Sequence, residues 1–264
     1  MKILFRGSLA EEGELQAAQQ HCEVITSRMN IERGDLIVFR YSLLPFSKET
    51  LDDVYIAGGK PINTYSQHNY LADLTQWYED FKEVTPRTWY DFVSIPKDYE
   101  GPFFLKGSTN SRKHLFKTHC YAENLNEARQ VMCRLLDDTL ISQQKICIRE
   151  FARLKHFGIN PITKAPITNE HRIFLYKDRV LAKGFYWSDF YEDIKEEVDK
   201  VVVPQDFIQR LIRLMAGRVD FWVADVAEKE DGEWILVEIN DACMSGLSTI
   251  NPNEFYKRLG EEVV

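Results

Sequence analysis

Near the C-terminus, the dipeptide Asp231-Gly232 separates two strongly apolar runs, Phe221-Trp-Val-Ala-Asp-Val-Ala227 and Glu233-Trp-Ile-Leu-Val-Glu-Ile-Asn240. Asp-Gly between strand-forming runs is the strongest short-range hairpin signal, because both residues tolerate the positive φ of a tight turn. With those two residues in the turn, Glu230 faces Glu233 and Asp225 lies directly opposite Glu238, with Asn240 two residues on and on the same face. Two carboxylates then stand side by side inside apolar strands. Like charges directly across a ladder repel, and burying either without a partner costs several kcal/mol. A divalent cation compensates both, since magnesium takes oxygen ligands and completes its shell with water and phosphates. Solvent exposure, protonation, or a salt bridge from lysine or arginine are the other solutions.

The rest of the chain reads as alternating strands and helices. Lys2–Arg6 and Asp35–Arg40 are apolar runs of the kind found in buried parallel strands, and Leu71, Leu74, Trp77 and Phe81 recur at helical spacing before Thr85-Pro86. Residues 1 to about 90 therefore form a small α/β layer. Gly58-Gly59-Lys60-Pro61 lacks the spacing and the Ser/Thr of a phosphate loop and reads as a turn. Pro102–Lys106 and Lys145–Phe151 read as strands, with a helix between them marked by Ala128, Val131, Met132, Leu135, Leu136 and Leu140. A second hairpin runs from Glu170 to Lys183 around Lys177-Asp178, and a helix with Phe207, Ile208, Leu211, Ile212 and Met215 stops at Gly217. Strands, helix, then strands again give an α+β unit with mostly antiparallel sheets.

Composition narrows the functional classes. A net charge of −8 with both signs mixed along 264 residues disfavours nucleic-acid and anionic-membrane partners. Five cysteines without a C-x-x-C pair, no apolar stretch near the roughly 20 residues of a membrane span, and too short an apolar run at the N-terminus for a signal peptide fit a cytoplasmic protein.

Asp225, followed on the next strand by Glu238-Ile-Asn240, resembles the metal-binding signature of the ATP-grasp superfamily. Phe103-Phe-Leu-Lys106 is similar to its nucleotide-binding lysine strand, and Ile148-Arg-Glu-Phe151 to the hinge between the two lobes that clasp ATP. The resemblance implies an ATP-grasp fold of two α+β lobes, residues 91–144 and 145–264, preceded by a pre-ATP-grasp α/β domain over 1–90. Within the superfamily the chain resembles the short ligase-like proteins of bacteria and phages, and more distantly the eukaryotic ATP-grasp chaperones.

The same resemblance implies ATP and magnesium as cofactors. Lys106 would contact phosphates, Glu150 and the stretch Phe151, Ala152, Arg153 and Leu154 would hold adenine, and Glu170 would take the ribose hydroxyls. Asp225, Glu238 and Asn240 would ligate magnesium. The implied reaction joins a small-molecule or peptide carboxylate to an amine through an acyl phosphate. An assembly factor that binds ATP for a protein client is the alternative. Arg172, Lys183 and Arg149 are the candidate catalytic cations; a turn at Lys177-Asp178 sets Arg172 opposite Lys183, where an anion should lie between them. Val223 stands where the best-known peptide-forming members carry arginine, so Arg172 and Lys183 are expected to supply that charge. The loop 107–113 is a candidate phosphate cover through Arg112 or Lys113. Ser245 and Gly246 are candidates for lining the acyl-substrate site, and Cys243 is expected to pack.

Overall fold

The computed structural model describes residues 1–6, 13–41 and 47–263, with only the backbone at Ser47. Strand β1 (Lys2–Phe5) pairs in parallel with β2 (Glu23–Ile25) and β3 (Leu36–Arg40), and β4 (Lys60–Pro61) completes the order β2-β1-β3-β4. Ile3, Leu4, Phe5, Ile37, Val38 and Phe39 are all buried, as apolar runs covered on both faces must be. Helices α1 (Glu14–His21) and α2 (Ser47–Ile56) connect the strands, and Gly58, at φ +82°, turns the chain into β4. The periodic stretch around Leu71–Phe81 forms two helices, α3 (Tyr65–Ala72) and α4 (Leu74–Phe81). Asp73 breaks them: it leaves helical dihedrals, and its carboxylate caps α4 by accepting from the Thr75 N–H at 2.9 Å.

The second sheet is antiparallel, with β5 (Thr88–Trp89), β6 (Phe103–Gly107), β7 (Tyr121–Ala122) and β8 (Ile146–Glu150) in the order β5-β8-β6-β7. The short helix α5 (Phe116–His119) precedes β7. Helix α6 (Leu125–Leu136) buries Ala128, Val131 and Leu135 in one core with Leu105, Ile146 and Ile148 of the sheet. A small ribbon of β9 (His156–Ile159) and β10 (Pro166–Thr168) leads into the last sheet.

That sheet, ordered β12-β11-β13-β14, contains both long hairpins: β11 (Glu170–Tyr176), β12 (Arg179–Phe185), β13 (Phe221–Glu228) and β14 (Trp234–Asp241). Helices α7 (Tyr191–Val198) and α8 (Gln205–Met215) lie between β12 and β13 in the chain, and α9 (Pro252–Glu262) follows β14. On one face Ile173, Trp222, Ala224 and Leu236 share a core with Trp77 and Phe81 of α4 and Ile208 and Leu211 of α8. On the other, Phe174, Phe221 and Val223 join Phe255 and Tyr256 of α9 and the first sheet's Phe5 and Phe39. The chain therefore does not pack in three consecutive blocks: β8, which opens the expected third segment, is bonded into the second sheet. Among the described residues no helix is long and apolar enough to cross a membrane.

Both hairpins depart from simple register. The Lys229 N–H donates to the Glu233 carbonyl at 2.8 Å, so the turn holds three residues, Glu230, Asp231 and Gly232, with Gly232 at φ +88°. Alone, this would set Asp225 opposite Val237. A bulge at Val237 takes up the extra residue and returns Asp225 to its expected partner, Glu238. In the other hairpin the two-residue turn at Lys177-Asp178 forms as expected, with Tyr176 opposite Arg179, but a bulge at Leu181 then shifts the pairing. Arg172 faces Gly184, Lys183 faces Ile173, and the expected Arg172–Lys183 pair does not form. A Cβ at Gly184 would lie 2.7 Å from Thr249 Oγ1 and 2.9 Å from the Ile250 nitrogen, so the chain beyond β14 crosses too closely for any side chain.

Candidate active site

Three adjacent strands align Arg172, Asp225 and Glu238 in one row. Asp225 is 1% exposed, and its two oxygens accept from Arg172 Nε and Nη2 at 2.9 Å each in a bidentate pair. Asn240 Nδ2 donates to the same carboxylate at 2.9 Å. Glu238 pairs with Lys106, which reaches across from β6 in the other lobe. The row thus runs cation, anion, anion, cation. Burial would push the Glu238 carboxyl up, but Lys106, Lys113 and Arg149 hold it down at about 2. Two side-chain cations, rather than an ion alone, supply the compensation that two buried carboxylates require.

The Lys106–Glu238 half of the row lines a cavity of about 620 Å³ between the lobes, while Arg172 at its other end lines a second one. Lys106, Arg149, Glu150, Phe151, Ala152, Arg153, Leu154, Glu170 and Glu238 all line it, so the candidate nucleotide residues converge. Its aromatic wall includes Phe116 stacked on Tyr121 at 5.7 Å and Tyr121 edge-on to Phe151 at 4.9 Å. Residues 151–154 link the sheets: the Phe151 N–H donates to the Pro102 carbonyl at 3.0 Å, and the Arg153 carbonyl accepts from Glu230 at 3.1 Å. The Glu150 carboxylate accepts from Arg87 Nε at 2.9 Å, which commits that side chain to an ion pair.

Glu170 is 3% exposed; Thr168 Oγ1 donates to its Oε2 at 3.1 Å, while Oε1 has no partner. Burial and the neighbouring Asp225 raise its carboxyl to about 7 against the pull of Lys113. A buried, unpaired carboxylate oxygen in a cavity is an acceptor waiting for a donor.

Arg149 is buried, and each of its three nitrogens is engaged: Nη1 by the carbonyl of the bulge residue Val237 at 2.9 Å, Nη2 by Thr85 Oγ1 at 2.7 Å, and Nε by Thr88 Oγ1 at 3.3 Å. It braces the bulge that aims Glu238. Lys183 is exposed and lies opposite Ile173, outside the row. Within the loop 107–113, Arg112 bonds Asp138 at 2.6 and 2.7 Å, whereas Lys113 lines the cavity with its ammonium 5.0 Å from the Tyr186 ring centre. Arg172 lies over the same ring at 4.9 Å. Tyr186 and Trp187 were not legible as site residues, because they follow β12 with no spacing signal; only the fold brings them to Arg172.

Gly246 accepts from Arg172 Nη1 at 3.0 Å, and both line a second cavity of about 310 Å³ with Tyr186, Trp187, Asp189 and Ser248. Trp187 borders both cavities. Ser245 instead turns its hydroxyl onto the Asp241 carbonyl at 2.9 Å, and Val223 is buried in the core. Cys243 is 1% exposed, and burial raises its thiol well above the ordinary range, so it packs as a neutral group.

Asp225, Glu238 and Asn240 offer only oxygen donors toward a divalent ion, the preference of magnesium, and two of them are carboxylates adjacent across a ladder. The donor set fits.

A family model described as ATP-grasp domain, R2K clade family 3, matches residues 94–259. No curated protein matches the chain. Among solved structures, the chain is similar to a RimK-domain ATP-grasp protein from Sphaerobacter thermophilus, at 12% identity over 99% of this chain and 98% of that one, with a TM-score of 0.63. It is similar to the D-cycloserine synthetase DcsG, at 11% identity over 100% and 99% of the two chains, TM-score 0.60. It is also similar to the ATP-grasp ligase PsnB, solved with a phosphomimetic variant of its minimal precursor, magnesium and ADP, at 10% identity over 98% and 95%, TM-score 0.56. At these identities the likeness is one of fold.

Proposed function

The chain belongs to the ATP-grasp domains, R2K clade family 3, and on that footing we propose that it is an ATP- and magnesium-dependent ligase that joins a carboxylate to an amine. The observation that carries the proposal is the four-charge row Arg172, Asp225, Glu238 and Lys106, whose Lys106–Glu238 end lines the inter-lobe cavity and whose Arg172 end lines the second cavity. In this reading adenine lies against the Phe104, Phe116 and Phe151 side of the cavity, and the free oxygen of Glu170 accepts from a ribose hydroxyl. Lys106 and Lys113 meet the phosphates.

Asp225, Glu238 and Asn240 would hold magnesium, which would neutralise phosphate charge and orient the phosphate chain. Lys106 passes from Glu238 to a phosphate oxygen as the nucleotide enters, exchanging one anionic partner for another at little electrostatic cost. Arg172 remains clamped on Asp225 and presents its guanidinium to the second cavity, where the acid and amine would meet. A substrate carboxylate oxygen attacks the γ-phosphorus and ADP leaves. The amine nitrogen then attacks the acyl carbon of the acyl phosphate; inorganic phosphate leaves and the nitrogen loses its proton to solvent. The protein's part is position and charge, which dominate phosphoryl transfer.

The test incubates the chain with ATP, magnesium and panels of carboxylic acids, peptides and amines, following ADP and phosphate. ADP release that depends on both an acid and an amine is the expected result. Binding of magnesium–ADP without release for any pair would remove the ligase assignment; failure to bind it at all would remove the nucleotide site as well.

A further inference from the structure

Asp241 follows Asn240 directly and is buried, yet it has no part in the row described above. Its carboxylate pairs with Nδ1 of His68, a fully buried side chain on α3. The other oxygen accepts from the Cys243 N–H at 2.9 Å. Its carbonyl accepts from the N–H groups of Met244 and Ser245 at 3.0 Å each. Residues 241–245 therefore form a turn hung on one side chain. Arg40, at the end of β3, donates Nη1 to the Ala242 carbonyl at 2.6 Å and is itself matched by Glu14 at 2.6 and 2.9 Å. The residue that leaves this turn is Gly246, whose carbonyl takes Arg172. Both ends of the turn thus touch the site: Asn240 on one side, Arg172 on the other.

We propose that His68 and Arg40 are positioning residues, a latch from the N-terminal domain that fixes the turn 241–246 and so aligns Asn240 and Arg172 with Asp225. The latch rests on the reading of Asp225, Glu238 and Asn240 as magnesium ligands. Its physical basis is that side chains supporting a metal ligand set the orientation of that ligand, and a misalignment of a few tenths of an ångström is enough to weaken the ion. The Cys243 thiol lies within 4.8 Å of the His68 and Asp241 donor atoms, but as a neutral buried thiol it completes the packing of the latch.

The experiment measures ADP affinity of the full chain by calorimetry, with EDTA and with saturating magnesium, for wild type, His68→Leu, His68→Gln and His68→Asn, each checked for a cooperative melt. Asn carries a donor where the histidine Nδ1 sits; Leu has none, and Gln sets it one methylene too far. In His68→Leu, metal-free ADP affinity stays within about twofold while the gain conferred by magnesium falls about tenfold or more, the usual range for such supporting partners. His68→Asn recovers most of that gain. If Leu does not fold, the contrast of Gln with Asn gives the same reading. A folded Leu or Gln variant with an undiminished magnesium gain overturns the latch alone. A wild-type chain with no magnesium gain overturns the ligand assignment, and the latch with it.

Discussion

Replacing Glu238 by glutamine leaves the Lys106 ammonium, 5% exposed, facing a neutral amide. Removing one partner of a buried ion pair costs about 3–5 kcal/mol, and the 22% exposure of the Glu238 side chain puts this case near the lower end. The acidity of Glu238 leads to a similar figure. Against the effect of burial, Lys106, Lys113 and Arg149 bring its carboxyl from the ordinary 4.5 to about 2, which at about 1.4 kcal/mol per pH unit is roughly 3 kcal/mol. Because the folded value lies below the unfolded one, this contribution is complete above pH 4.5 and is lost as pH falls through about 2. Urea denaturation at pH 7 and pH 3 should therefore show a Glu238→Gln deficit of about 3 kcal/mol that shrinks at the lower pH, with the slope m unchanged. Lys106→Met should cost less, since Lys113 and Arg149 still face the carboxylate. The double variant should be less destabilised than the two singles added, by about 2 kcal/mol. Strictly additive singles, or a Glu238→Gln variant within about 0.5 kcal/mol of wild type, would refute the reasoning.

Other expectations concern the site and its turns. With an active acid and amine pair, Arg172→Ala should lower ADP release about 10²-fold or more, whereas Lys183→Ala, exposed and outside the row, should stay within about twofold. Burial first, then Asp225, raises Glu170 to about 7 in the folded chain, so its favourable neutral form is complete below the ordinary 4.5 and lost as pH rises through 7. Glu170→Gln should accordingly gain stability relative to wild type between pH 5 and pH 8, by at most roughly 3 kcal/mol in denaturant titrations. Gly232→Ala has free space for its methyl but must hold φ near +88°, so thermal melts should register a loss of about 1 kcal/mol without a change in magnesium–ADP affinity.

The two hairpins show where reading residues alone succeeds and where it stops. Asp231-Gly232 marked the right turn and the right carboxylate pair, yet through two one-residue departures that cancel: a longer turn and the bulge at Val237. Lys177-Asp178 marked its turn correctly too, but the bulge at Leu181 had no counterpart to cancel it, and Lys183 left the row. Period-two patterns specify which face a strand buries but not where a bulge resets the register; here the reset brings Gly184 opposite Arg172, where residues 249–250 pass too closely for a side chain. The α3–α4 break was written locally in Asp73, a capping residue inside a helical period. The sharing of cores among segments was not, because α4, β8 and α9 each find partners far along the chain.

Local chemistry thus settled β1, β3, β6, β8, the two long hairpins with their carboxylate pair, and the helices α6 and α8, since turn propensity and apolar periodicity act over a few residues. Which cations neutralise Asp225 and Glu238, how Tyr186 comes to lie under Arg172, and why His68 meets Asp241 were decided only by the tertiary structure. Those contacts span 53 residues for Arg172–Asp225, 132 for Lys106–Glu238 and 173 for His68–Asp241, separations across which no local periodicity carries information.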